Sequence, residues 1–136
     1  VDLLKGISSN ITKGIMLGTR MVCADNSGAK ELELVSVAKF KGKRRRLPRA
    51  GLGDLVVCSV KKGKEKLRHQ LVHVVIVRQK KEFRRLDSMR VKFSDNAGVL
   101  INIKTKEPVG SEIRSVIAKE VVEKYPAVGK IAYMVV

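Results

Sequence analysis

From Thr19 to Ile103 the chain is a succession of short apolar runs rich in β-branched residues, broken by turn signals that carry glycine. The runs are Thr19 to Ala24, Glu31 to Val37, Leu55 to Val60, Leu71 to Val77, Met89 to Phe93 and Val99 to Ile103. None exceeds seven residues, which is strand length and too short for a globular helix. In Glu31 to Val37 the residues partly alternate, Leu32 and Leu34 against Glu31 and Glu33, as in a strand with one wet face. Between the runs lie Asp25-Asn-Ser-Gly28, Gly51-Leu-Gly-Asp54, Lys62-Gly63 and Asp95-Asn-Ala-Gly98. Asp-Asn-x-Gly suits an Asx turn with glycine in the left-handed position. Many short strands with tight turns predict a mostly β fold, a small barrel closed so that no long edge is exposed.

The end of the chain has a different period. Ile113, Val116, Ile117, Val121 and Tyr125 recur at helical spacing with charges between them. Ser111 stands where an N-cap would and Pro126 where a helix stops. The spacing predicts a helical region over 110–126 that packs its apolar stripe on the barrel. At 136 residues one domain is expected. It divides into an N-terminal extension (1–17), the barrel with its loops (18–104) and the helical region.

Charge points to the partner. Of the net +16, fifteen lie in the 54 residues from Lys39 to Lys92, where 19 Lys/Arg face four acids. A near-neutral body with so cationic a middle calls for a polyanion, nucleic acid before an anionic membrane. The cations form three clusters, each between strands. The first supplies Lys41, Lys43, Arg44, Arg45, Arg46 and Arg49; the second Lys61, Lys62 and Lys64; the third Arg78, Lys80, Lys81, Arg84 and Arg85, with Arg90 beyond it. If these loops converge at one barrel end, they build a single cationic face. Arginine forks match phosphate oxygens, and each neutralised phosphate releases counterions. Only Phe40 and Phe83 among the aromatics lie in the basic loops and there is no Trp, so phosphate and shape are read in preference to stacked bases.

Other chemistry finds little support. His69 and His73 would lie roughly 13 Å apart on a strand, too far for one ion, and no cofactor motif is present. Cys23 and Cys58 sit in apolar runs without CxxC spacing and read as buried thiols. Asp25 and Asp95 are the one pair of carboxylates that an RNA-processing enzyme would use, but turn chemistry accounts for both. A membrane-surface protein would need a basic amphipathic helix, and the late segment is nearly neutral. No apolar run is long enough to span a bilayer, and Val1 to Lys5 does not read as a leader, so a soluble intracellular protein is expected.

Five motifs, in order, resemble a known family. They are Cys23-Ala-Asp-Asn-Ser-Gly-Ala-Lys30, Arg46-Leu-Pro-Arg-Ala-Gly-Leu-Gly-Asp54, Val60-Lys-Lys-Gly-Lys64, Val74-Val-Ile-Val-Arg-Gln-Lys-Lys81 and Phe93-Ser-Asp-Asn-Ala-Gly-Val99. Together they resemble the L-fourteen family of large-subunit ribosomal proteins, called L-twenty-three in eukaryotes, over roughly residues 13 to 125. The Arg46-Leu-Pro stretch and the Lys61 to Arg68 insert resemble its archaeal and eukaryotic cytosolic branch. The resemblance implies a five-stranded barrel with a small C-terminal helical region and no catalysis, a structural constituent of the cytoplasmic ribosome. It also implies contact with large-subunit ribosomal RNA and, at an intersubunit bridge, small-subunit RNA. The protein L-three as neighbour and docking of factors that block subunit joining are implied likewise. Two departures stand out. Leu86-Asp87-Ser88 lacks the glycine usual in that hairpin, and Arg114-Ser-Val116 replaces Gly-Pro-Val, which points to an earlier helix start.

Overall fold

The computed structural model describes residues 10–38, 40 and 42–136. The early strands are β1 (Ile15–Met16), β2 (Arg20–Cys23), β3 (Ala29–Val37), β4 (Arg49–Ala50), β5 (Leu55–Gly63) and β6 (Leu71–Arg78). After them come β7 (Phe83–Arg84), β8 (Arg90–Val91), β9 (Ala97–Leu100) and β10 (Ile113–Ile117). The helices α1 (Lys119–Lys124) and α2 (Pro126–Lys130) precede the last strand, β11 (Ala132–Val135). A closed barrel forms in the order β2-β3-β5-β6-β9, so the mostly β, five-stranded expectation holds. Each pair is antiparallel except β2 with β9, which closes the barrel. Short pairs β1-β4 and β7-β8 hang from it.

Alternation decides the two cores. Leu32 and Leu34 of β3, Val56, Cys58 and Val60 of β5, and Val74 and Ile76 of β6 point into the barrel. Val75 and Val77, the intervening residues of β6, point outward into a second core with Val99, Ile113, Ile117, Val121 and Tyr125. That is why Val74 to Val77 is apolar without alternation: the strand is covered on both faces.

The expected helix from Ser111 is corrected. Ile113–Ile117 is strand, paired in parallel with β11, and helix begins only at Lys119. Pro126 opens the next helix at its first turn, a place where proline's missing N–H costs nothing. Positions i and i+4 share a face at period 3.6 and at period 2 alike, so Ile113 and Ile117 could not tell the two apart. β-Branched side chains and the backbone of β11 settle it as strand. The Ser111 hydroxyl accepts from the Asn26 amide (2.8 Å) and so caps no helix. Ser115 takes φ +64 where the β10-β11 register shifts, a bulge that leaves Ile113 and Ile117 both buried.

The two Asp-Asn-x-Gly motifs part company. Asp25 builds the expected Asx turn: Oδ1 accepts from the Ser27 N–H (3.2 Å) and hydroxyl (2.7 Å), and Gly28 has φ +109. The second motif is not such a turn. Gly98 lies within β9, where a Cβ would collide with Val74 Cγ1, so glycine serves close strand approach. Asp95 instead meets Arg78.

Both cysteines are free and buried, as expected. Burial pushes the Cys23 thiol up to about 12, helped by the Asp25 carboxylate that accepts from it at 2.9 Å. Burial alone does the same for Cys58, again to about 12. A raised thiol pKa favours the neutral folded form. The contribution is therefore intact below pH 9, the ordinary thiol value, and is lost as pH climbs toward 12. At pH 8 native protein should show no fast-reacting thiol toward a disulfide reagent, and both should react in denaturant. Rapid native labelling would contradict this packing.

Candidate nucleic-acid interface

Strand direction sorts the basic clusters. The connections 38–54 (β3 to β5) and 79–96 (β6 to β9) leave the same end of the barrel, because β3 and β6 run opposite to β5 and β9. The turn 64–70 joins β5 to β6 at the other end. A single face built from all three clusters is therefore corrected to a shared end for the first and third. Along β5 the separation is roughly 30 Å, about nine residues of strand, well beyond a Debye length of about 8 Å.

At the shared end, Lys43, Arg44, Arg45, Arg46 and Arg49 are exposed, with no acidic partner among the described residues. A backbone turn closes from the Arg46 N–H to the Lys43 carbonyl (3.1 Å), with Arg45 at φ +65. The three arginines of this tight loop are all exposed. Arg49 lies on β4 opposite Met16 of β1. Lys41, expected in the same loop, lies outside the described residues. From the third cluster, Lys80 is exposed and Lys81 is half-exposed beside Glu82 (3.2 Å). Arg84 and Arg90 face each other across the β7-β8 hairpin, both exposed.

Buried Gln79 holds this end together. Its Oε1 accepts from the Leu52 N–H (2.8 Å), and its Nε2 donates to the Thr12 and Lys81 carbonyls (3.0 and 2.9 Å). One amide thus ties residue 12, the turn before β5 and the start of the third cluster, with its hydrogen-bonding capacity well used. Residues 10–17 are part of this framework, since Asn10 bridges Arg84 and Ile15 pairs with Ala50.

Two expected contacts do other work. Arg78 is buried, with Nε 3.0 Å from Asp95 Oδ1 and Nη1 reaching the Val116 carbonyl at 3.4 Å. Arg85 forks onto Glu120 (Nε to Oε1 2.8 Å, Nη2 to Oε2 3.2 Å), donates to the Val136 carbonyl (2.7 Å) and covers the buried Phe83 ring. Both guanidinium groups bind the barrel to its C-terminal layer, so neither is placed to fork a phosphate. A run of arginines carries no local mark of which member turns inward, because the acidic partners lie 17 and 35 residues away.

The second cluster is partly neutralised. Lys61 pairs with Glu33 (3.2 Å), and Lys62 lies 3.6 Å from Glu31, which also takes Arg20 at 2.6 Å. The hydrogen bond from Arg20 holds the Glu31 carboxyl below the usual carboxylate range. Lys64 keeps its charge exposed and, with Lys30, Lys62, Arg68 and Arg114, lines a groove of about 800 Å³ at this end. Lys30 and Arg114 were beyond sequence reasoning, since both lie outside the dense basic stretch. Asp25, in the same groove, also takes the Leu100 N–H on Oδ2 (3.1 Å), so its oxygens are engaged.

Comparison with known proteins gives the chain a family. Residues 14–136 match the family described as "Ribosomal protein L14p/L23e". The chain belongs to the L14p/L23e family of ribosomal proteins. It is 47% identical over 132 residues to "Large ribosomal subunit protein uL14" of Methanococcus maripaludis, covering 97% of this chain and 99% of the relative. Proteins of that name from Methanococcus vannielii and Methanocorpusculum labreanum are 46% and 44% identical, covering 97% and 98% of this chain and 99% and 100% of the relatives. All three are archaeal, in keeping with the archaeal and eukaryotic cytosolic branch that the Arg46-Leu-Pro stretch resembles.

Within this L14p/L23e chain, the hairpin lacking its glycine shows what the change costs. Ser88 holds φ +70, the Ser88 N–H donates to the Arg85 carbonyl (3.0 Å), and the Met89 N–H donates to Asp87 Oδ1 (3.1 Å). The left-handed turn survives with a residue that strains in it. Ser88→Gly should raise stability by about 0.5–1 kcal/mol, the strain relieved less the added chain entropy, read by urea denaturation. A loss of stability would mean that the Ser88 hydroxyl, which Arg84 reaches at 3.1 Å, matters more than the backbone.

Proposed function

We propose that this chain is a structural constituent of the large subunit of the cytoplasmic ribosome, holding ribosomal RNA at the barrel end where its first and third basic loops meet. One observation carries the reading: Lys43, Arg44, Arg45, Arg46 and Arg49 stand exposed, with no acidic partner among the described residues, at the barrel end that also carries Lys80, Lys81, Arg84 and Arg90. Cations that fold without local neutralisation are stable only in water or against a polyanion, and forked donors match phosphate. The large-subunit role follows its relatives, which are large ribosomal subunit proteins uL14. Lys41 belongs to the same loop by sequence. Lys61, Lys62 and Lys64 would serve a separate RNA segment at the opposite end.

The family reading extends this to a bridge with small-subunit RNA, contact with L-three and docking of factors that block subunit joining. These finer partners rest on resemblance. No helix among the described residues is long and apolar enough to cross a membrane. Of the two carboxylates that an RNA-processing enzyme would use, Asp25 accepts from four donors and Asp95 meets Arg78.

Sedimentation of native lysate in about 0.5 M salt, with immunodetection of this chain, tests the proposal. Co-migration with free large subunits and whole ribosomes is expected, because shape as well as charge retains an integral component. Release to the top of the gradient at modest salt would overturn it.

A further inference from the structure

The first basic loop does more than present charge; it walls a groove. About 860 Å³ of space lies between that loop and the barrel end. Its floor is apolar: Val37 ends β3, Leu55 starts β5, and Tyr125, only 2 % exposed, closes the bottom. The Ala38 N–H bonds the Leu55 carbonyl (3.0 Å), which fixes that floor to the barrel. Its rim is cationic, with Arg45, Arg46 and Arg49 among the lining residues and Asp54 the one acid among the described residues there. Asp54 is already taken by Lys13 (2.5 Å) and the Gly51 N–H (2.8 Å). Phe40, 37 % exposed, stands at the mouth with Met16 equally exposed.

A paired RNA helix offers such a groove only phosphates, because its bases are stacked inside. A cationic rim around an apolar floor with an aromatic at the mouth suits an unpaired nucleotide, whose base leaves water while its phosphate meets arginine. We propose that this groove receives an unstacked nucleotide of the bound RNA, with Phe40 as the stacking platform and Arg45, Arg46 and Arg49 on the flanking phosphates. Composition alone had argued for phosphate and shape. Folding alters that at this one place, by bringing Phe40, Met16 and Tyr125 from three separate segments around one space. Charge complementarity selects RNA over an apolar peptide. The inference rests on the proposal that this barrel end binds ribosomal RNA.

The experiment uses the full chain and two synthetic RNAs at matched length and salt: an uninterrupted duplex, and the same duplex with a two-nucleotide bulge carrying 2-aminopurine. Wild type should bind the bulged RNA about tenfold more tightly, with a change in 2-aminopurine emission. Phe40→Ala should erase most of that preference, and Phe40→Trp should restore it. Arg46→Gln should weaken both RNAs. Equal wild-type affinity for the two RNAs, or a preference that Phe40→Ala does not touch, would overturn the inference while leaving RNA binding in place. Displacement of bulged RNA by a Glu/Tyr copolymer at lower concentration than by unlabelled bulged RNA would assign the groove to an acidic protein, and also overturn it. Failure to bind either RNA would instead remove the RNA-binding proposal itself.

Discussion

Replacing Arg44, Arg45, Arg46 and Arg49 together with glutamine should lower affinity for a large-subunit RNA fragment by roughly a thousandfold at 0.1 M salt, with the fold intact. Each duplex phosphate neutralised adds about 0.9 to the slope of log affinity against log salt, so four contacts account for roughly three to four units of slope. Charge contributes nearly nothing at 1 M, and the tenfold step down to 0.1 M turns that slope into the stated loss. Stability should change by no more than about 0.5 kcal/mol, because all four side chains are exposed and none pairs with an acid among the described residues. Filter binding across a salt series gives affinity and slope together. The control neutralises Lys64, Lys66 and Arg68 at the other end of the barrel. Losses per charge that match in the two variants would mean diffuse attraction, and the assigned face would be wrong.

Glu120→Gln should destabilise the protein by about 3–5 kcal/mol, the largest effect expected of a nearly isosteric change in this chain. Glu120 is fully buried and Arg85 is 12 % exposed at its side chain, so their attraction acts in a poorly screened place. Removing the carboxylate charge leaves a guanidinium with little water and without the counter-charge it is buried against. The pair also joins the β7-β8 hairpin to α1, so its loss frees Phe83 and the second core. Urea denaturation with a fixed slope measures the change. Arg85→Met with Glu120→Leu should recover much of it, since replacing both partners strands no charge. A single-variant loss below about 1 kcal/mol would show that apolar packing, not the ion pair, holds the C-terminal layer.

These two predictions involve residues that look alike in sequence. Arg44 and Arg85 each sit in a basic run, yet the first faces water and the second is part of the fold. Composition and spacing could assign both only to phosphate. The same limit explains the segment 113–117: its apolar spacing satisfies helix and strand, and only the arrival of β11 supplies a ladder for it. It also explains Gly98, whose motif reads as a turn until Val74 is seen against it.

What the amino-acid sequence determined by itself was local in origin. Periodicity and turn residues marked the principal strands, and charge density named a polyanion as partner. The tertiary structure alone decided where each cation would stand. Antiparallel order sent the second cluster to the far end, and acids distant in sequence drew Arg78 and Arg85 inward. Coulomb attraction and burial act through space, between residues that the chain order keeps apart, so no reading of neighbours along the chain could have sorted them.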